Sequence, residues 1–195
     1  LDDAGRSYTL TAHNLPSARS QGEPITGRIN PGAGARMVGV MLDVPEARYL
    51  LASDGGYGFI ARLDDLIGKS KAGKAALSVP KGCNVLPPVA VPEGEDTRIA
   101  VVSNEGRLLV FPLEQLPVMA KGKGNKMIDI PGARAANREE FVRDLAMLPA
   151  GASLVVHAGK RKQTLSSRDL DYYVGERGRR GSKLSRGFQK VDRLE

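Results

Sequence analysis

The sequence predicts an all-β fold, a propeller-like array of about four small blades, and three observations predict it. A motif returns four times at intervals of 51, 50 and 53 residues, opening at Gly5-Arg6-Ser7-Tyr8, Gly56-Tyr57-Gly58-Phe59, Gly106-Arg107-Leu108-Leu109 and Gly159-Lys160-Arg161-Lys162. Repeats of this length build arrays in which no unit can bury its apolar face alone, so each stacks on the next. The 23 Gly and 12 Pro are spread along all 195 residues, as many tight turns between short strands require. Each repeat also holds enough short β-prone runs for about four strands, the content of a propeller blade.

The elements follow in the same order in each unit. The alternating runs Arg48–Ser53 and Arg98–Ser103 each enter a Gly-containing turn, Asp54-Gly55-Gly56 or Asn104-Glu105-Gly106, and a second run follows over Tyr57–Arg62 or Arg107–Pro112. Two such runs around a short turn read as a β-hairpin. Ser153–Ala158 turning at Gly159 repeats the pattern, and Asp3-Ala4-Gly5 supplies the turn of a first hairpin. A short polar piece then ends in Leu15, Leu66, Leu116 or Leu170, and a basic loop follows. Further β-prone runs come next, such as Ala75–Val79 and Lys126–Ile130, and a closing strand such as Met37–Leu42. Ala135–Leu145 breaks the β pattern and is expected to form two or three helical turns inside the third unit. The whole chain, 1–195, reads as one domain. Because Leu1 opens inside a repeat, the chain is expected to be a piece of a longer protein.

Charge is distributed unevenly. The net charge is +7, and the windows 17–28, 67–74, 118–126 and 175–186 carry +1, +3, +3 and +4, leaving the remainder negative. These windows occupy corresponding places in the four repeats, so stacking would align them as one positive rim, the footprint of a polyanion partner. The run Gly175-Glu-Arg-Gly-Arg-Arg-Gly181 has the composition of a disordered basic arm, yet it stands at the loop position of the fourth repeat, which favours an ordered loop. Lys and Arg there could neutralise phosphates, and Gly between them lets backbone N–H groups approach. Such contacts would be salt-dependent, indifferent to base sequence, and able to bend a duplex round a curved rim.

Other chemistries find little support. Gly68-Lys-Ser-Lys-Ala-Gly73-Lys74 has the Gly and Lys spacing of a phosphate-binding loop, but Ala75 stands where a hydroxyl must meet magnesium and no helix pattern follows. Gly122-Lys-Gly124 lacks the third Gly of a dinucleotide fingerprint. His13, His157 and Cys83 lie in different repeats, without the ligand spacing of a zinc site. His157 reads as a structural or edge residue of its strand, and Cys83 as a small packed thiol. The pairs Asp64-Asp65 and Glu139-Glu140 stand in polar, surface-like contexts and are poor candidates for acid–base catalysis. One cysteine permits no intrachain disulfide, which fits a reducing compartment. No apolar run approaches the roughly 18 residues of a membrane span.

Several of these stretches resemble the C-terminal domain family of the A-type (ParC) subunit of bacterial topoisomerase IV, which is related to the corresponding domain of gyrase. They are Leu15-Pro-Ser-Ala-Arg-Ser-Gln-Gly-Glu-Pro-Ile-Thr-Gly27, Ala52-Ser-Asp-Gly-Gly-Tyr-Gly-Phe59, Lys121-Gly-Lys-Gly-Asn-Lys126 and Gly175–Gly181, and the resemblance runs from Gly5 to Arg193. It implies a β-pinwheel, a propeller whose blades exchange strands with their neighbours, here about four blades that could form an open arc. It also implies an accessory role: non-specific binding and bending of double-stranded DNA, presented to a holoenzyme that decatenates and relaxes DNA. The implied partners are the N-terminal domain of the same polypeptide and the B-type, ATP-binding subunit of topoisomerase IV in a heterotetramer. Nucleoid association in the cytoplasm is implied as well, with peripheral membrane association of the parent enzyme left open. The family's catalytic tyrosine belongs to the N-terminal domain, so Tyr8, Tyr49, Tyr57, Tyr172 and Tyr173 take no such role. No cofactor is expected in this segment, since ATP and magnesium act elsewhere in the holoenzyme. Gyrase relatives carry a box close to Gln-Arg-Arg-Gly-Gly-Arg/Lys-Gly, from which Gly175 and Glu176 depart, favouring topoisomerase IV over gyrase. A protein-interaction propeller that docks a chromosome-organising protein is the alternative of a different class.

The expected DNA contacts are Arg19 and Arg28 in the first loop, Lys69, Lys71 and Lys74 in the second, and Lys121, Lys123 and Lys126 in the third. Arg177, Arg179, Arg180, Lys183 and Arg186 are expected in the fourth, with Lys160, Arg161 and Lys162 at the last hairpin. Charge alone gives affinity to the later loops. The resemblance places the first loop in the position of the gyrase box, so Arg19 and Arg28 are expected to govern bending.

Overall fold

A computed structural model describes residues 1–195. Unit 1 contributes β1 (Arg6–Ser7). Unit 2 contributes β2 (Arg48–Ser53), β3 (Tyr57–Arg62), the one-turn helix α1 (Leu63–Leu66), β4 (Lys74–Ala75) and β5 (Val89–Ala90). Unit 3 contributes β6 (Arg98–Ser103), β7 (Arg107–Pro112), β8 (Asn125–Lys126), α2 (Gly132–Ala136) and β9 (Val142–Leu148). Unit 4 contributes β10 (Leu154–Ala158), β11 (Arg161–Leu165), α3 (Ser167–Leu170), β12 (Ser182–Lys183) and β13 (Arg193–Leu194).

The sheets are antiparallel and cross the unit boundaries. Their orders are β5-β2-β3-β8 and β9-β6-β7-β12, with a two-stranded β1-β4 before them and a three-stranded β11-β10-β13 after. In each case the strand that follows a basic loop pairs back onto the hairpin of the preceding unit: Ser7 with Lys74, Tyr57 with Lys126, and Arg107 with Lys183. Strand exchange of this kind ties the second, third and fourth basic loops to two units at once.

Three apolar cores lie between successive sheets. Leu50, Ala52 and Ile60 on one face of the second sheet meet Ile99, Val101, Leu109 and Phe111 of the third. Tyr49, Leu51, Phe59 and Ala61, on the other face, pack with Leu1, Leu66, Ala76 and Leu77. Ala100, Val102, Leu108 and Val110 meet Leu154, Val156 and Leu165 of the fourth unit. The expected alternation of the hairpin strands therefore fails in units 2 and 3, where β2 and β6 are buried on both faces after their first residue. It holds in β10, where buried Leu154, Val156 and Ala158 alternate with part-exposed Val155 and His157.

Three further expectations are corrected. Helix α2 stops at Ala136, and Val142–Leu145, placed within a helix above, belongs to β9 because its register with β6 completes the third sheet. Met37–Leu42 forms no strand: Met37 makes one bridge to Asp2, and Val40 and Leu42 are exposed. The β-prone runs after the loops shorten to two residues, since only Lys74–Ala75 and Asn125–Lys126 find a partner strand.

Candidate nucleic-acid interface

The second, third and fourth loops are carried by the same local device. A helical turn follows the second hairpin strand and sinks a leucine, Leu66, Leu116 or Leu170, into the core. In unit 4 the turn opens on a capping box, with Ser166 Oγ accepting the Asp169 N–H at 3.2 Å and the Asp169 carboxylate accepting the Ser166 N–H at 2.8 Å. The chain then crosses onto the neighbouring blade. Ile60 N–H donates to Pro117 O and Ile60 O accepts from Met119 N–H, while Val110 O accepts from Gly175 N–H. Glycine is required at the return: at Gly124, with φ +78°, a Cβ would lie 2.2 Å from Gly58 O.

The residue after each hairpin glycine holds the next unit's loop. The Arg6 guanidinium donates to Ala72 O and Gly73 O at 3.0 and 2.8 Å, and Arg107 donates to Gly181 O at 3.3 Å. Tyr57 instead lies under Lys123, whose Nζ is 4.3 Å from the ring centroid. Lys160, the corresponding residue of unit 4, is exposed, as are its neighbours Arg161 and Lys162.

The expected contact residues separate into two groups. Arg19, Lys69, Lys71, Lys121, Lys160, Arg161, Lys162 and Arg186 are exposed and form no ion pair. The others are engaged. Lys74 Nζ donates to Asp65 O, Arg177 to Lys126 O, and Arg180 to Asp129 O, all at 2.6 Å. Lys126 pairs with Asp129 at 2.8 Å, and that carboxylate holds the ammonium above the ordinary lysine value. Arg28 pairs with Glu23, Arg179 with Glu176, and Lys183 donates to Glu105 O. The fourth loop is thus ordered by its own arginines, with Gly178 N–H bonded to Met127 O and Asp129 N–H to Arg179 O.

One group of residues was not singled out by the sequence reading. Glu140, placed with Glu139 in a surface context above, has a fully buried side chain and accepts from Arg134 at 2.8 Å and Arg180 at 2.7 Å. Arg134 also reaches Glu105 at 2.5 Å, holding that carboxyl below its ordinary value. A buried carboxylate between two guanidiniums has no local sequence signal; only the high charge of 134–140 hinted at it. Cys83 is half-buried against Gly55, and burial raises its thiol pKa, which disfavours the reactive thiolate. No three His, Cys, Asp or Glu side chains gather as a metal site, and no helix is long and apolar enough to cross a membrane.

A β-propeller of strand-exchanged blades with a cationic rim defines the class. The family model for the DNA gyrase C-terminal domain, beta-propeller, matches residues 48–82 and 97–144. The chain is 55% identical over 194 residues to the A-type subunit of DNA topoisomerase 4 from Pseudomonas aeruginosa and 43% identical over 195 residues to that from Escherichia coli. Both alignments cover all of this chain and 26% of the relative, so the chain spans about a quarter of those proteins. The solved E. coli ParC C-terminal domain superposes with a TM-score of 0.93 at 42% identity, covering 100% of this chain and 78% of that one. A DNA gyrase A C-terminal domain shares the fold at a TM-score of 0.71 and 15% identity, with 98% and 62% covered. The chain belongs to the family of ParC C-terminal domains of bacterial topoisomerase IV.

Proposed function

We propose that this chain binds duplex DNA without base specificity along its cationic rim and bends it. In the intact protein it would present DNA to a type II topoisomerase for ATP-dependent decatenation and relaxation. The observation that carries this reading is the row of unpaired cations on loops that strand exchange seats in corresponding places on successive blades. Unpaired Lys and Arg on a fixed backbone can each neutralise a phosphate and release counterions. The reading keeps nucleophile, ATP and magnesium in other parts of the holoenzyme, with the B-type subunit as partner, and places the enzyme in the cytoplasm at the nucleoid.

A salt titration of affinity for a short duplex tests it. The slope of log affinity against log salt should be steep, with roughly 0.9 for each phosphate neutralised, and similar for unrelated sequences. A slope near zero, or no binding at low salt, would instead support the protein-docking propeller.

A further inference from the structure

Helix α2 and the residues after it have no counterpart in the other units, and the binding reading does not use them. Short as it is, the stretch Gly132–Phe141 touches three units. Arg138, held in the left-handed region at φ +61°, donates to the nearly buried Asp54 in the hairpin turn of unit 2 at 2.7 Å. Asn104, in the hairpin turn of unit 3, donates to Glu139 O at 3.1 Å and accepts from Phe141 N–H at 2.8 Å. Glu140 takes Arg134 of its own unit and Arg180 of the unit 4 loop on the same oxygen, Oε2, while Oε1 has no partner.

The Glu140 side chain has no exposed surface, so its charge is tolerable only while both guanidiniums stay in place. Charge-assisted bonds to planar guanidiniums are strong and directional. Strand exchange joins each blade to the next at its edge; this network adds a second, stiff connection from unit 2 through unit 3 to the loop of unit 4. Tilt between blades sets the curvature of the rim, and the cost of bending a duplex must be met by contacts that keep that curvature.

We infer that Glu140 is a positioning residue for the bent path of the duplex: it touches no DNA, but through Arg180 and Arg134 it fixes the fourth loop against the third blade. The inference rests on the DNA-bending reading above. Ligase-catalysed circularisation of a duplex of about 150 bp, near one persistence length, tests it with the whole chain. Glu140→Gln keeps the side-chain shape but removes the charge that two guanidiniums share. It should lower the protein's enhancement of ring closure by about threefold or more, while affinity for short linear duplex changes by under about twofold and the salt slope is kept. Adding Arg180→Gln to Glu140→Gln should cost less ring closure than the two single losses combined, because both remove the Arg180–Glu140 bond. If Glu140→Gln is unfolded at the assay temperature, Glu140→Asp replaces it, since its carboxylate is one methylene short of the position that holds both Arg134 and Arg180, and the same loss is expected. Unchanged ring closure in a folded variant overturns the inference, as does a loss of affinity and slope in proportion to bending. If the wild-type chain neither binds nor bends, the functional reading fails and this inference with it, an outcome distinct from both.

Discussion

The first and fourth basic loops occupy corresponding places in the repeat and have opposite structural fates. Leu15, which leads into the first, is 45% exposed, whereas Leu170, which leads into the fourth, is 0% exposed. Residues 11–27 are exposed throughout and their hydrogen bonds are local, among Ser17, Arg19, Ser20 and Gly22. The fourth loop is bound at every turn to Lys126, Met127, Asp129 and Glu140. The physical lesson is that a loop keeps its shape only where a neighbouring blade supplies partners, and the cations that secure it are no longer free for a ligand. Arg177 and Arg180, counted from sequence among the expected contacts, hold Lys126 O, Asp129 O and Glu140. Arg179, Lys183 and Arg186 are the exposed cations of that loop.

The largest expected effect sharpens this contrast between a seated and an unseated loop. Gly124→Ala, in the seated third loop, would force a Cβ to 2.2 Å from Gly58 O at φ +78° and should cost more than ~3 kcal/mol. Gly22→Ala, in the first loop, has φ +75° but open space around it and should cost only about 1 kcal/mol. Urea unfolding of the two variants decides; equal losses would mean that the third loop is not held as described.

Leucine truncation should separate the same loops by a somewhat smaller margin. Leu170→Ala empties a fully buried site and should cost about 2–5 kcal/mol, while Leu15→Ala should stay within ~0.5 kcal/mol. The pair is read from thermal unfolding midpoints.

Binding should divide by availability of charge rather than by its amount. Replacing Lys69, Lys71 and Lys121 by Ala should lower the salt slope by about 2–3 with little loss of stability. Arg177→Ala with Arg180→Ala should lower stability first, because Lys126 O and Asp129 O lose their donors and Glu140 loses one of its two guanidiniums. A large drop in slope with unchanged unfolding would reverse the assignment of these two arginines.

The smallest effect is on pH dependence. Arg134 holds the Glu105 carboxyl below its ordinary value, so folding binds fewer protons there than the unfolded chain does. The stability this contributes is complete above the ordinary glutamate range and disappears as pH falls through the lowered native value. Glu105→Gln should therefore flatten the acid limb of a stability–pH curve below about pH 5, leaving stability differences at neutral pH constant with pH. An unchanged acid limb would assign it to Asp3, Asp64 and Asp169, whose carboxyls are also lowered.

Much of the fold was legible because it repeats. Gly56, Gly106 and Gly159 mark hairpins that form where expected, and Leu66, Leu116 and Leu170 sink into cores as their common position suggested. Local pattern misread Ala135–Leu145, whose composition suits a helix but whose second half is claimed by pairing with β6. The burial of β2 and β6 on both faces was equally hidden, because it depends on a blade lying on each side. The cationic loops could be listed from the sequence, but their division into free and engaged charges could not. Lys74, Arg177 and Arg180 are engaged by backbone carbonyls of Asp65, Lys126 and Asp129, the last two on the neighbouring unit.

The sequence by itself therefore determined the period, the hairpin turns, the chemistry of the loops and the family. Those properties are local, or recur at a fixed interval, and each rests on the conformational and electrostatic preferences of residues near in the chain. The tertiary structure alone decided which strand completes which sheet, which cations face solvent, and that Glu140 is buried between two arginines. The physical reason is that the exchanged strands and the Glu140–Arg180 pair join groups tens of residues apart, where pairing and desolvation outweigh any local preference.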